Sequence, residues 1–224
     1  MLCELRNVTK TYVGERAVTP VKNLDLSINE GNFISVSGIS GAGKSTLLFL
    51  ISGMLQPSSG DIFFEGHSYR QMDDARLSNL RAANIGYVSQ NIQLVQALTV
   101  EENIRLAQKT AERACGSKKD APDTDYIMEY LGLTGKKNEL PAHLSGGQKR
   151  RAVIAVTWAR NPRLILLDEP TNDLDGFWSR KVMDQLAVWH DEGKALLLVT
   201  HDHEYASSAD IHLELVNGVL SSAE

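Results

Sequence analysis

The sequence predicts an α/β protein whose mainly parallel sheet carries a glycine-rich loop after one of its strands. Residues 164–167 and 195–199 are continuous apolar runs, typical of strands that are buried on both faces of a parallel sheet. Residues 33–37 form another apolar run, after which the chain reads Gly-Ile-Ser-Gly-Ala-Gly-Lys-Ser-Thr from Gly38 to Thr46. This is the complete G-x-x-x-x-G-K-[ST] pattern, which requires a strand before it and a helix after it.

The other elements follow from local patterns in chain order. The first thirty residues alternate apolar and polar positions, which predicts antiparallel strands ahead of the loop. After the loop helix, a turn at 57–60 leads into a strand at 61–64, and 85–89 is a further short strand. Beyond it the spacing is mostly helical, interrupted by a polar connection that contains Gly and Pro at 116–123.

This order predicts one domain with an inserted lobe. We expect an α/β core formed by 1–90 and 161–224, including an N-terminal antiparallel β subdomain, and an α-helical subdomain at 91–160. With 224 residues, 42% hydrophobic and 23% charged, the chain has the composition of an ordinary globular protein. Cys3 and Cys115 have no metal-ligand spacing, so we expect reduced thiols.

Composition also disfavours several classes of protein. The longest apolar stretch, 47–55, is interrupted by Ser52 and Gly53 and is far short of the roughly 20 residues of a membrane span. The N-terminus lacks the features of a signal peptide, so we expect a cytoplasmic location. A net charge of −5 with only short basic clusters, at 136–137 and 149–151, disfavours a nucleic-acid partner.

The glycine loop predicts nucleotide binding. Its backbone N–H groups and the positive end of the following helix converge on phosphates, Lys44 reaches the outer phosphates, and Ser45 is placed to ligate Mg²⁺. A glycine turn that merely precedes a lysine is the alternative, but the flanking strand and helix favour the functional interpretation. The loop alone does not separate kinases, GTPases and motor ATPases. The predicted phosphate-contacting residues are Gly38, Ser40, Gly41, Ala42, Gly43, Lys44, Ser45 and Thr46.

Two apolar strands end in chemically active side chains. The run 164–167 is followed by Asp168 and Glu169, and the run 195–199 is followed by Thr200 and His201. The carboxyl ends of parallel strands meet in one crevice. There Asp168 can orient the magnesium shell, and Glu169 can hold or deprotonate an attacking water. The alternatives are a carboxylate pair that caps a helix and a structural histidine.

A third segment resembles a capped and sterically open helix N-terminus, which is a second anion site. It reads Leu-Ser-Gly-Gly-Gln from Leu144 to Gln148. A simple Ser/Gly helix start is the alternative. Taken in order, the motifs resemble an ATP-binding-cassette (ABC) ATPase subunit over essentially the whole chain. They are the loop, Gln90 after a strand, Leu144–Gln148, Asp168–Glu169, Thr171–Asp175 and His201.

The resemblance implies that the site for ATP bound by one cassette's loop is completed by the serine and glycines of the signature segment, Leu144–Gln148, of a second cassette. We expect this second cassette to be a copy of the same chain in a homodimer. It implies catalysis by Glu169 with His201 and Gln90, with ATP and Mg²⁺ as cofactors. Tyr12 then stacks on adenine, unless it is a plain strand tyrosine, and Gln90 senses the outer phosphate, unless it is a plain end-of-strand amide. The further implied ATP contacts are Ser145, Gly146, Gly147, Gln148 and Asp175, and the implied Mg²⁺ contacts are Ser45, Gln90 and Asp168.

Within the family, the segment Tyr12–Val21 is slightly longer than in many importer cassettes. This length and the sequence of Leu80–Gln90 are similar to those of the lipoprotein-releasing, macrolide-efflux and cell-division group, whose cassettes pair with four-helix membrane subunits. One departure is Val156, where the family usually has an arginine. Arg151 is retained, and Arg160 lies one helical turn beyond Val156, so we expect it to replace part of the missing charge.

The leading hypothesis is therefore an ATPase that drives transport or mechanotransmission through a separate membrane subunit on the inner face of the cell membrane. The surface that receives the partner is expected near Gln90 and 91–111. A cassette that acts on ribosomes or DNA is the alternative, which the single-cassette length and acidic balance disfavour. A degenerate module without turnover is opposed by intact Lys44, Glu169 and His201.

Overall fold

The computed structural model describes residues 1–14, 17–91, 93–118 and 120–223. The chain forms two compact units, one from Met1–Ser78 with His190–Glu224 and the other from Asn79–Trp189. The predicted helical subdomain 91–160 lies within the second unit, and its functional boundaries stay a prediction.

The strands and helices follow one another along the chain as a mixed α/β pattern. The strands are β1 (Cys3–Tyr12), β2 (Val18–Ile28), β3 (Phe33–Ser37), β4 (Ser59–Phe64), β5 (His67–Ser68), β6 (Ile85–Val88), β7 (Leu164–Asp168), β8 (Ala195–Val199), β9 (Ile211–Val216) and β10 (Val219–Ser222). The α-helices are α1 (Lys44–Ile51), α2 (Asp74–Asn84), α3 (Val100–Cys115), α4 (Thr124–Tyr130), α5 (Gly146–Ala159), α6 (Gly176–Asp191) and α7 (His203–Ala206).

The first unit contains two sets of paired strands. One is an antiparallel sheet in the order β2-β1-β4-β5, as the alternating N-terminal pattern predicts. In the other, β3 pairs in parallel with β8 and β9, and β9 pairs with β10 as an antiparallel hairpin. All five residues of β8 are buried, which explains its continuous apolar sequence.

In the second unit, β6 and β7 pair in parallel, and α3 and α4 pack against α5. A chain of edge-to-face aromatic contacts fills part of its core. The Trp158 ring lies 5.3 Å from Tyr130 and 6.0 Å from Trp189, between ring centroids. Edge-to-face contacts of this kind add to the energy of apolar burial. They hold α4, α5 and α6 together.

The predicted fold class is confirmed: an antiparallel β subdomain, mainly parallel core strands and helices between β6 and β7. Helix α2 and the hairpin β9–β10 were not predicted. In the described part of the chain, no helix combines the length and the apolarity that crossing a bilayer requires.

Candidate functional site

The predicted phosphate loop lies between β3 and α1, in the first unit. Its glycines adopt backbone conformations that only glycine accepts readily: φ is +145° at Gly38, +80° at Gly41 and +107° at Gly43. A Cβ atom at Gly43 would lie 2.2 Å from the carbonyl oxygen of Pro20, and one at Gly38 would lie 2.5 Å from that of Leu215. The loop is therefore held against two neighbouring backbones, and glycine is needed at both contacts.

Lys44 lies inside this loop. Its Nζ donates to the carbonyl oxygens of Gly38, at 2.6 Å, and Ile39, at 3.0 Å. Helix α1 begins at Lys44, its N-cap Gly43 provides no side-chain cap, and its first turn carries no acidic residue. The helix N-terminus and the ammonium group thus place positive charge in the loop, where a polyanion would bind.

His201 is brought to the same edge of the first unit. Val36 of β3 is opposite Val199 of β8. Two residues further along each chain segment, Gly38 and His201 therefore lie level with each other. The next residue, Asp202, caps α7 by accepting hydrogen bonds from the amides of Glu204 and Tyr205. This cap fixes the backbone next to His201, whose side chain is exposed.

Tyr12 lies on the antiparallel sheet of the first unit. It is opposite Val18 on β2, two residues from the Pro20 that contacts the loop at Gly43. The residue is 44% exposed, and the Lys10 ammonium lies 5.4 Å from the centroid of its ring. An exposed aromatic face next to the loop is available for stacking on a planar base.

In the second unit, Gln90, Asp168 and Glu169 come together at one strand edge. Val88 of β6 is opposite Leu167 of β7, so the residues that follow each strand emerge side by side. Asp168 is 4% exposed and Gln90 is exposed. Asp168 and Glu169 therefore lie at the end of an apolar parallel strand, as expected from the sequence, whereas the pairing of that strand with β6 and Gln90 was not predicted from the strand pattern.

The backbone and electrostatics of this edge are unusual. Glu169 has φ +50°, a left-handed conformation that is strained for a residue other than glycine. Such strain concentrates at functional sites. Burial, together with the adjacent Asp168 carboxylate, raises the pKa of the Tyr87 hydroxyl, so Tyr87 stays protonated beside that carboxylate.

The predicted signature segment forms the N-terminus of α5 with a complete capping box. The Ser145 hydroxyl accepts from the Gln148 amide at 3.3 Å, and the Gln148 Oε1 accepts from the Ser145 amide at 2.9 Å. Ser145 and Gly146 are exposed. A Cβ at Gly147 would lie 2.8 Å from the carbonyl oxygen of Asp173, so the segment Thr171–Asp175 lies directly against this helix start.

Asp175 begins α6. Its Oδ1 accepts a hydrogen bond from the amide of Trp178 at 3.0 Å, and its carbonyl accepts from that of Ser179. Its carboxylate therefore caps α6 in this structure.

The arginines of α5 were underestimated from the sequence. Arg150, which had appeared only as part of a short basic cluster, is buried and donates to the carbonyls of Ser89 and Gln90. Arg160 donates to the carbonyls of Arg81 and Ala82 at 2.6 and 3.1 Å, near the C-terminal end of α2. The charge of Arg160 is thus engaged with α2, one turn beyond Val156.

The residues present fit a nucleotide with Mg²⁺. In the first unit, the glycine cradle accepts no side chain at Gly38 or Gly43, and Ser45 carries an oxygen donor of the kind that Mg²⁺ prefers. Asp168 of the second unit, considered by itself, carries carboxylate oxygens of the same kind. Across the described residues, no cluster of three or more His, Cys, Asp or Glu side chains could hold a metal alone.

A glycine loop that joins a parallel strand to a helix and encloses a lysine defines a P-loop nucleotide-binding protein. The ABC transporter family matches residues 21–172 of this sequence. The chain belongs to that family, and it is an ATP-hydrolysing, nucleotide-binding subunit.

Similar proteins match nearly the whole chain. The uncharacterized ATP-binding protein MJ0796 of Methanocaldococcus jannaschii is 35% identical over 100% of this chain and 97% of its own length. The lipoprotein-releasing ATP-binding protein LolD of Wigglesworthia glossinidia brevipalpis is 36% identical over 98% and 96%. The macrolide export protein MacB of Mannheimia succiniciproducens is 34% identical over 97% of this chain, which spans 34% of that protein.

The fold agrees with that of a solved relative. A dimeric, post-hydrolysis structure of the MJ0796 cassette bound to ADP and Pi superposes with a TM-score of 0.87 at 32% identity, covering 100% of this chain and 99% of that one. The similarity to LolD and MacB confirms the resemblance to lipoprotein-releasing and macrolide-export cassettes that was predicted from the sequence.

Proposed function

We propose that two copies of this ATPase enclose ATP between the loop of one copy and the signature segment of the other, and that hydrolysis drives a membrane subunit. The observation that carries this proposal is the N-terminus of α5. Its Ser145 and Gln148 cap each other, while Ser145 and Gly146 face solvent. A capped, exposed helix N-terminus that is rich in glycine suits a phosphate brought by another chain.

Each predicted residue then has a defined task. The loop amides and Lys44 bind the phosphates, and Tyr12 stacks on the adenine. Gln90 and His201 contact the outer phosphate. Glu169 orients the attacking water and accepts its proton, because a carboxylate at a strand end can serve as a general base.

Mg²⁺ would be held by oxygens of Ser45, Gln90 and Asp168, and when bound it neutralises charge on the β- and γ-phosphates. Asp175 would approach the nucleotide from the segment Thr171–Asp175, which contacts the N-terminus of α5, the signature helix. Its cap on α6 supports a fixed position for that segment.

A symmetric pair gives an isologous interface with two ATP molecules. The dimeric structures of the similar MJ0796 cassette support this arrangement. The names of the lipoprotein-releasing and macrolide-export relatives support a membrane transport partner over a ribosome or DNA partner. They also support a position on the inner face of the membrane.

We assign the partner surface to the region from Gln90 to Ala111 in the helical subdomain 91–160. Val95 and Leu106 expose 48% and 45% of their surface there, which suits contact with an apolar helix. The test is reconstitution in lipid with the membrane subunit that copurifies from native membranes. Stimulation of the ATPase rate by that subunit is expected, and equal rates with and without it would refute the coupling.

The shared site can be tested by complementation. K44A removes the lysine of the loop, and S145R places a bulky side chain at the exposed signature start. Each variant alone should be inactive. A mixture should regain activity, because a mixed dimer has one site with an intact loop and an intact signature. The expected maximum is about one quarter of the wild-type rate, since half of the dimers in the mixture are mixed and each mixed dimer has one intact site out of two. An inactive mixture of folded variants would refute the two-chain site.

A further inference from the structure

Arg150 connects the signature helix to the backbone at Gln90. Its side chain, on α5, is 1% exposed. Nη1 donates to the carbonyl oxygen of Ser89 at 2.6 Å, and Nη2 donates to that of Gln90 at 2.9 Å. The planar guanidinium therefore binds two consecutive carbonyl groups, which fixes both their distance and their orientation.

This contact restrains the backbone of Gln90 and leaves its side chain exposed. Ser89 is buried, and its hydroxyl donates to the carbonyl of Asn91. The turn after β6 is thus held from within by Ser89 and from α5 by Arg150. The Gln90 side chain projects from a fixed backbone, which is the arrangement required of a group that must contact a ligand at a set position.

The same guanidinium also faces the segment that follows Glu169. Arg150 Nη2 lies 3.9 Å from Asp173 Oδ2, and Asp173 has a left-handed φ of +65°. The Asp173 carbonyl lies against Gly147 at the start of α5. One cation therefore touches the turn at Gln90, the signature helix and the Thr171–Asp175 segment.

Stability alone is a poor explanation for this cation. Burial lowers the pKa of Arg150, and the Asp173 and Asp168 carboxylates only oppose that effect. Its Nε makes no hydrogen bond within the described part of the chain. Buried charges contribute little net stability because desolvation offsets their attraction to partners. The two carbonyl contacts, in contrast, provide geometric control.

We propose that Arg150 is a positioning residue for ATP hydrolysis, which acts by fixing the Gln90 backbone relative to the signature helix. This inference rests on the role of Gln90 in the proposed function. Loss of the forked contact should lower turnover more than nucleotide affinity, because the loop amides and Lys44 still bind the phosphates when Gln90 is misplaced.

The test compares R150K and R150Q with R160K. Arg160 also donates to two consecutive carbonyls, those of Arg81 and Ala82, but it does so from Nη2 alone and does not contact Gln90. We expect R150K and R150Q to lower kcat about tenfold with KM for ATP changed less than about twofold. R160K should lower the melting temperature without changing kcat. In the absence of nucleotide, amides at 89–91 should exchange hydrogen faster in R150K than in R160K.

A double mutant distinguishes positioning from general damage. If Arg150 acts through Gln90, then R150K should have no additional effect on kcat in a Q90A background. D173N provides a variant that should fold even if changes at Arg150 do not, since Asp173 is 60% exposed. It should lower kcat about two- to threefold with Gln90 present and leave it unchanged in Q90A.

The outcomes separate the two proposals. An inactive wild-type protein would refute the proposed function. If the wild type is active, two results would overturn the positioning role alone. One is that R150K matches R160K both in kcat and in hydrogen exchange of the amides at 89–91. The other is that the effects of R150K and Q90A on kcat multiply in the double mutant. Should neither Arg150 variant fold, equal effects of D173N with and without Gln90 would overturn it.

Discussion

Replacing Gly43 by alanine tests whether the close packing of the phosphate loop is required for binding. Gly43 has φ +107° and ψ 7°, a conformation that an L-residue adopts only under strain. The new Cβ would also lie 2.2 Å from the Pro20 carbonyl oxygen and 2.9 Å from its carbonyl carbon. Because these are backbone atoms, either β2 or the loop must move.

The magnitude follows from the two separate effects. Left-handed strain costs roughly 1–2 kcal/mol, and overpacking against rigid neighbours costs roughly 1–3 kcal/mol. Together they lower the free energy of unfolding by about 3 kcal/mol, which for a chain of this size lowers the melting temperature by about 6–12 °C. G31A is the matched control. Gly31 has φ +71° but no atom within 4 Å of the added Cβ, so only the strain remains.

The assays are thermal unfolding and equilibrium binding of ATP. G31A should melt about 3–6 °C below the wild type and bind ATP normally. G43A should melt lower still and lose at least about tenfold in affinity, because a displaced loop no longer aims its amides at the phosphates. If G43A matches G31A in both measurements, the close approach of Pro20 to the loop is not a structural requirement.

Three further changes have defined outcomes. E169Q should bind ATP but lose at least about 100-fold in turnover, since an amide cannot act as a base, and size-exclusion chromatography with ATP and Mg²⁺ should show a persistent dimer. A strictly monomeric E169Q would contradict the dimer. At pH 8 a thiol reagent should label Cys115 in the folded protein but not Cys3, because burial raises the pKa of Cys3 to about 12 and keeps it protonated. Mass spectrometry should count one adduct, and two adducts would show that Cys3 is accessible. V156R should change kcat by less than about twofold, because Arg160 already occupies the α2 carbonyls. A large increase in steady-state turnover would show that this cassette is attenuated by Val156.

Elements whose pattern is local could be predicted from the sequence. Strands β7 and β8 are buried along their whole length, so a continuous apolar run identifies them. The glycine loop has its own motif, and Asp168, Glu169 and His201 were predicted as site candidates because each follows an apolar run typical of a parallel strand. Gln90 was identified only through the family resemblance.

Elements that depend on contacts between distant parts of the chain could not be predicted from the sequence. Helix α2 is polar, and the residue that anchors its first half, Leu77, is buried against Gly53 of another segment. The hairpin β9–β10 did carry a signal that went unused. Its turn is Asn217–Gly218, with φ +50° and +82°, the residue pair that tight hairpins favour. The role of Arg150 had no such signal, because a cation on a helix is usually solvated.

The arginines of α5 and of its C-cap, Arg160, share one structural function, which gives the departure at Val156 a physical meaning. Arg150 donates to the carbonyls of Ser89 and Gln90, and Arg151 to that of Leu131, the C-cap of α4, while Arg160 donates to two carbonyls near the end of α2. Cations at helix C-termini are stabilised by the helix dipole, so Arg151 and Arg160 tie α5 to two neighbouring helices. A displacement of α5, whose N-terminus is the proposed contact with the second cassette, would therefore be transmitted through all three. An arginine at 156 would compete with Arg160 for α2 instead of restoring an unfilled contact.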